Sequence, residues 1–513
     1  MTAGFHLAGG LRALRRSPAR LVLVLFACFF LLLSGGRLGS GDASLQLQAT
    51  MLLATTGRLG TTAPPAGADG GWVANRDGRY YEVHDIGNIG LMLPAAALSA
   101  LMSKRPGSEL VEAPPISARV GVSLTCALLS AIGCFFMFKL FALYHGVRRG
   151  FLLSLAFATT TIFWVYAKTA WDVTGACCLM CAALYFSAKL LHDSRPVRDT
   201  VLAAVALGLA CSFRFSLAPF FVPSIILAMY LSRPRHRWWH YVAFLLCFLT
   251  TMLPDLGYNY VRMGSLFRPA TTAPQHLQTN NALTGSILRG LFGLLFAPNR
   301  SLFIYSPILL LMVALPFMWG SIAPERRRLF SAFGAGCVPY ILLIAKMKSW
   351  GAFGWGPRYL VPVIPVFFLG ASLALTALWE KHRELVLGLV IVSVLVNAPA
   401  VLVNWNLTTT EFPQARDQNA RLPRQMMATW TGLVMGLQGK PLPAPPEIAN
   451  DPIRSAGRRF PDLWTVRLME QSRFGLIAGL GISLLFTILI GWSLVFLLKR
   501  DRWGPRINQG GVG

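Results

Sequence analysis

"RLVLVLFACFFLLLSGGRLGSGDASLQLQATMLLATTGRL", residues 20–59, puts an apolar run, a glycine-rich exit and one acid into a single short stretch. Leu21 to Leu33 carries no charge, and Arg12, Arg15, Arg16 and Arg20 come before it. A basic flank leading into an apolar run is the pattern of a secretory signal. Here the segment continues directly into a second half-apolar stretch, so 20–35 reads as a retained first membrane span. Asp42 then stands just past the end of that span, and the reading of the whole chain turns on why an acid is kept there.

The rest of the sequence extends the pattern. Of 513 residues, 54% are hydrophobic and 13% charged, with a mean hydropathy of +0.54. That is more apolar surface than a water-soluble core hides. Runs of about 20 apolar residues, the length that crosses a bilayer, recur along nearly the whole chain. The expected fold is an all-α polytopic membrane protein with about 12 transmembrane helices, at 20–35, 118–143, 150–168, 172–192, 199–213, 215–232, 238–255, 302–320, 328–346, 359–378, 384–404 and 473–498. The formal charge of +26 would suggest nucleic acid in a soluble protein. In this chain the basic residues alternate with the spans, and with a cytoplasmic N-terminus each short inner loop is basic: Arg148 and Arg149, Arg195 and Arg198, Arg233, Arg235 and Arg237, Arg326 to Arg328, Lys381 and Arg383, and a tail from Lys499. The positive-inside rule accounts for this arrangement, and no nucleic-acid partner is expected. The partner implied is the lipid bilayer of the inner (plasma) membrane.

Three long segments then fall on the opposite, extracytoplasmic side: 36–117, 256–301 and 405–472. The first contains apolar stretches too short or too interrupted to span, which read as interfacial helices. The domain organisation expected is a transmembrane core over 1–405, an extracytoplasmic cap over 406–472 rich in proline, and a last span with a cytoplasmic tail over 473–513. The nine cysteines all lie in apolar runs, and Cys177, Cys178 and Cys181 read as packing within a span. Tyr80, Tyr81, Trp350 and Trp355 are suited to an interfacial aromatic belt.

On the same side, near span ends, stand Asp42, Lys168, Asp172, Arg214, Asp255, Arg262, Arg268, Asn299, Arg300 and Arg358. Many cations around few acids at membrane depth suit an anionic lipid headgroup, because guanidinium grips phosphate oxygens in two-point geometry where water is scarce. One acid among them is then available as a base or as a metal ligand. Simpler roles compete. Asp42 is placed to cap the helix that Gly57 closes, and Asp172 to cap the span it opens. Lys168 is placed to snorkel at a span end. Arg214 interrupts an apolar stretch and needs a partner or a wet cavity. His84, with Glu82 and Asp85, resembles a metal-binding run, though adjacent residues in a loop are a weak basis for a protein-built zinc site.

Four stretches carry a resemblance to a known family: "SGDASLQLQATMLLATTGRL" at 40–59, "DGRYYEVHDIGNIGLMLPAAAL" at 77–98, "FATTTIFWVYAKTAWDVTGA" at 157–176 and "WGAFGWGPRYLVPVIP" at 350–365. Together they resemble the polytopic GT-C glycosyltransferases, the class that takes sugars from polyprenyl phosphate and includes protein O-mannosyltransferases, aminoarabinose transferases and arabinofuranosyltransferases. Ala43 stands where the commoner family pattern has a second acid after the aspartate. By this resemblance Asp42 is the first-loop aspartate that activates an acceptor hydroxyl, and Lys168, Arg214 and Arg358 surround the donor phosphate. His84, Asp85 and Asp172 are candidates for acceptor contact, metal ligation or the second acid. A divalent cation, Mg or Mn, is left open. The partners implied are a polyprenyl-phosphate-linked sugar donor and a glycan, lipid or protein acceptor.

Such a donor already carries an activated anomeric carbon. The protein must deprotonate the acceptor, align it opposite the phosphate and stabilise the departing charge. One acid and several cations suffice for a single displacement with inversion. The alternative reading is a lipid-linked sugar flippase or transporter, against which stand the missing internal repeat and the large first outer loop. A structural or assembly subunit is the third.

Overall fold

The computed structural model describes residues 17–63, 71–75, 77–103, 114–192, 195–232, 236–268, 270, 283–411, 417–442 and 460–499. The expected inner-loop cations Arg233 and Arg235, the tail beyond Lys499 and much of the expected cap lie outside them.

Among the described residues eight helices are long and apolar enough to cross a membrane, and five shorter apolar helices accompany them. Every expected span falls on helical structure, so the multi-pass all-α architecture stands, while the count of 12 does not follow from length alone. Pro18–Leu33, with proline in its first turn, has 16 residues, or roughly 24 Å at 1.5 Å per residue, short of a hydrocarbon core of about 30 Å. The expected spans 118–143 and 150–168 are assigned to one helix, Ile116–Thr160, interrupted at Gly146 by a positive φ of 77°. A side chain at Gly150 would meet the backbone of Ala142 at 2.6 Å, so the chain doubles back here, beside Arg148 and Arg149. The expected span 302–320 is broken into Leu302–Tyr305, a 3-10 turn Pro307–Ala314 and the short helix Leu315–Met318. Pro307 and Pro316 cannot donate to a helical ladder, which is enough to interrupt it.

The helices are unequally buried, and this orders the bundle. Arg358–Leu378 is 89% buried and Asp172–His192 78%, whereas Arg473–Leu498 is 11% buried and forms the outer wall. Asp172–His192 packs along Pro196–Phe213, which packs on Trp238–Met263. The N-terminus of the first, the C-terminus of the second and the N-terminus of Arg358–Leu378 meet at one end of the bundle, and the site is built there.

The first long loop folds over that end. Gly41–Thr56 is a helix whose Ala43, Leu47 and Met51 recur every fourth residue and are buried against Met92, Ala96, Ala118 and Val122. Ile86–Ser103 follows, so both expected short helices exist. Between them lies structure that the all-α expectation omits, a three-stranded antiparallel sheet of β1 (Gly60–Thr61), β2 (Trp72–Ala74) and β3 (Tyr80–Glu82), in the order β1-β3-β2. Tyr81 faces Gly60 on one side and Val73 on the other. Strands of two or three residues are too short to show an alternating pattern. The aromatic belt is also corrected: Trp355, Trp350 and Tyr81 are buried in the protein, and Trp355 Nε1 donates to Asn397 Oδ1 at 3.1 Å. Burying an indole N–H requires such a partner.

Candidate functional site

The segment leading to Asp42 settles the capping question. Ser40 has extended backbone (φ −151°, ψ 158°), and its hydroxyl accepts the Ala43 N–H at 3.0 Å. Gly57, in the left-handed region, closes the helix as expected. Ser40 is therefore the N-cap, and Asp42 lies inside the first turn with its carboxylate released from that duty. An acid in the first turn is also favoured by the helix dipole.

That carboxylate meets two cationic groups. Arg358 Nη1 donates to Asp42 Oδ2 at 3.2 Å, and His84 Nε2 lies 3.9 Å from the same oxygen. The Asp42 side chain is 41% exposed, the Arg358 and His84 side chains 12% and 19%. Arg358 lies over the Trp171 ring at 4.3 Å and the Tyr359 ring at 5.2 Å, and its buried Nε has no hydrogen-bond partner. A guanidinium held by aromatic faces with a donor in reserve is equipped to take a further acceptor.

A second acid and guanidinium pair adjoins the first. Arg214, where Pro196–Phe213 ends, donates from Nε to Asp172 Oδ2 at 3.3 Å, and its guanidinium lies 4.7 Å from the Tyr359 ring. Arg214 and Arg358 thus converge on Tyr359 from two helix ends. Asp172 opens its helix as expected, but its carboxylate is engaged by Arg214.

Behind this layer the loop carrying His84 is fixed. Glu82, fully buried at the end of β3, accepts the His84 N–H at 3.0 Å and makes a close contact with His84 Nδ1. Burial by itself pushes the imidazole pKa down; the Glu82 carboxylate, followed by Asp42 and Asp172, overrides it and raises His84 to about 9. The ring is an imidazolium at neutral pH. Arg262, 1% exposed, donates to the carbonyls of Glu82 at 2.9 Å and His84 at 2.6 Å, and its guanidinium sits 3.9 Å from the Tyr258 ring. Arg262 therefore holds the loop through Nη1. Asp85 accepts the Phe215 N–H at 2.9 Å through Oδ2, tying the loop to the residue after Arg214. Burial raises its carboxyl to about 6.

Of the residues singled out from sequence, Asp42, His84, Asp172, Arg214 and Arg358 come together, with Asp85 directly behind. Lys168 does not join them. Its ammonium, 3% exposed, is bound to Asp462 Oδ2 at 2.8 Å and to the Val401 carbonyl. Arg300 is likewise committed, donating to the Ala352 carbonyl at 3.1 Å and to Gln425 Oε1 at 2.9 Å. Sequence reasoning missed Tyr359 and Asp462, and named Glu82 only as part of a metal-like run with His84 and Asp85. Tyr359 and Glu82 sit inside motifs already singled out, next to Arg358 and two residues before His84. Nothing local marked Asp462.

His84 Nε2 faces Asp42 at 3.9 Å, and among the described residues no three His, Cys, Asp or Glu side chains are grouped to hold a metal ion. Mg and Mn favour several oxygen ligands. The described donor set does not fit such an ion.

Residues 117–257 match a protein-family profile described as dolichyl-phosphate-mannose-protein mannosyltransferase. A search of curated proteins finds no match. Among solved structures, the chain is similar to ArnT from Cupriavidus metallidurans bound to undecaprenyl phosphate, with 16% identity and a TM-score of 0.48 over 95% of this chain and 78% of that one. It is also similar to the archaeal oligosaccharyltransferase AglB from Archaeoglobus fulgidus in complex with an inhibitory peptide and a dolichol-phosphate, with 9% identity and a TM-score of 0.43 over 92% of this chain and 60% of that one. At these values neither overlap assigns a role to any residue here. The profile match, which contains the third of the four motifs, bears out the resemblance to GT-C glycosyltransferases, and the enzyme class it implies is glycosyltransferase.

Proposed function

We propose that the chain transfers a sugar from a polyprenyl-phosphate carrier to a hydroxyl group of a cell-envelope glycan, lipid or protein, by a single inverting displacement on the non-cytoplasmic face of the plasma membrane. The observation that carries this reading is the half-exposed Asp42 carboxylate lying 3.2 Å from Arg358 and 3.9 Å from His84, with Arg214 next to them across Tyr359. Asp42 takes the proton of the acceptor hydroxyl as that oxygen attacks the anomeric carbon. Arg358, through its unused donor, takes the negative charge that grows on the departing phosphate. Arg214 and the His84 imidazolium add positive field at the same place. Asp172 keeps the Arg214 guanidinium in position, and Glu82 keeps His84 charged. A half-exposed carboxylate is reachable by an acceptor from water, whereas the cations around it are more enclosed, as a lipid headgroup site requires.

The test is transfer from a labelled polyprenyl-phosphate sugar by the full chain in liposomes, with the anomeric configuration of the product read by NMR. Wild-type protein should give an inverted product, and Asp42→Asn should bind donor while losing turnover. Equal turnover by Asp42→Asn would remove Asp42 as the base. Movement of the labelled lipid between leaflets by Asp42→Asn, without sugar transfer by the wild type, would instead establish the flippase reading.

A further inference from the structure

Away from the Asp42 site, Asp462, whose side chain is fully buried, is paired with three cations. Its carboxylate accepts from Arg37 through Nε at 3.3 and 3.1 Å and through Nη2 at 2.7 Å. Lys168 Nζ lies 2.8 Å from Oδ2, and Arg467 Nη2 contacts Oδ1. The three cations lie on three different stretches of chain. Arg37 is in the exit of the first span, on the way to Asp42. Lys168 is in the turn that leads to Asp172. Arg467 and Asp462 itself belong to the segment that precedes the last span.

The backbone repeats the same ties. Trp464 donates its N–H to the Ser34 carbonyl at 2.9 Å and its Nε1–H to Leu31 at 2.7 Å, and the Asp462 N–H donates to Leu402 at 2.8 Å. The Ala170 N–H donates to the Leu38 carbonyl at 3.0 Å, joining the Arg37 and Lys168 stretches directly. Gly36 has φ +62°, and a Cβ there would lie 2.7 Å from Trp464 Cβ. Only glycine lets the chain pass this close in that conformation.

We infer that Asp462 is a positioning residue: by clasping Arg37 and Lys168 together it sets the spacing between Asp42 and Asp172, and so the alignment of Arg358 and Arg214 on the donor phosphate. Both acids of the site hang on short segments whose other ends are fixed at this one carboxylate. A displacement of about 1 Å at a reacting centre is enough to cost on the order of a hundredfold in rate. The inference rests on the proposed transferase reading for its rate consequence, but not for its structural one.

Two variants of the full chain test it, Arg37→Gln and Asp462→Asn, with Asp42→Asn as a control in the same assay. Hydrogen exchange across 34–42 and 168–172 should speed up at least tenfold in Arg37→Gln, which leaves Asp462 with two cationic partners and is the milder change. Per folded molecule, kcat should fall at least tenfold while KM for the polyprenyl-phosphate sugar stays within about twofold. The double variant should be no slower than Asp462→Asn alone, because both act through the same clasp. Unchanged exchange in Arg37→Gln would overturn the clasp. Faster exchange with normal kcat would confine Asp462 to stability and overturn its positioning role. If Asp42→Asn is as active as wild type, the transferase mechanism fails, and the exchange result still decides the clasp.

Discussion

Asp42 and Asp462 are both carboxylates set among cations in the same region of the protein, but they differ in how they face water. Asp462 is sealed by three cations from three chain segments, which hold its carboxyl well below the usual carboxylate range against the upward push of burial. Asp42 is 41% exposed, with Arg358 at 3.2 Å and the His84 ring farther off. The first arrangement fixes three pieces of backbone and leaves the acid inaccessible. The second holds the acid beside a guanidinium while leaving it open to water. On the proposed mechanism, saturation marks the structural acid and incomplete enclosure the reacting one.

The largest effect that would break this contrast is on rate. Asp42→Asn should lower turnover roughly 10²–10⁴-fold, the range spanned by a positioned acid or base, with a small change in thermal midpoint because the side chain is half exposed. Asp462→Asn should do the reverse in stability. Removing one member of a buried ion cluster leaves the others uncompensated and costs about 3–5 kcal/mol, readable as an earlier thermal or denaturant transition of the detergent-solubilised chain. If Asp42→Asn proved the more destabilising of the two, the division between open and sealed acids would be lost.

What the sequence disclosed follows the same line. Spans were legible because a helix needs about 20 apolar residues to cross lipid, so long uncharged runs stand out even where their number does not follow from length alone. Asp42, Arg214 and Arg358 were legible because a charge at a span end is conspicuous. Lys168 is equally conspicuous, and the resemblance implies a place at the donor phosphate; its partner is Asp462, almost 300 positions away in a proline-rich stretch without a pattern. An ion pair between distant segments leaves no local trace. The short sheet was hidden for a different reason, since its strands hold two or three residues each, and with it went the role of Glu82, which depends on β3 delivering that carboxylate beneath His84.

Glu82 sharpens the comparison through pH. His84 is raised to about 9 in the folded protein, against about 6.5 when unfolded. Between those values the folded state binds more protons, so stability falls as pH rises. The contribution is full below about pH 6.5 and gone above about pH 9. Glu82→Gln removes the main group that raises His84 and leaves burial opposed only by Asp42 and Asp172. The decline in thermal midpoint across that window should flatten in this variant, and a slope equal to wild type would detach His84 from Glu82.

The smallest effect addresses the same acid through its neighbour. Ser40→Ala removes the hydroxyl that accepts the Ala43 N–H, a loss of about 1 kcal/mol for an N-cap. If capping belongs to Ser40 and chemistry to Asp42, Ser40→Ala should lower the thermal midpoint slightly and leave turnover within a few-fold of wild type. Asp42→Ala, by contrast, should abolish turnover at little cost to the helix. Were Ser40→Ala harmless to stability and Asp42→Ala costly, Asp42 would be acting as the cap after all, and its carboxylate would have no reason to stand at the rim beyond holding its own helix.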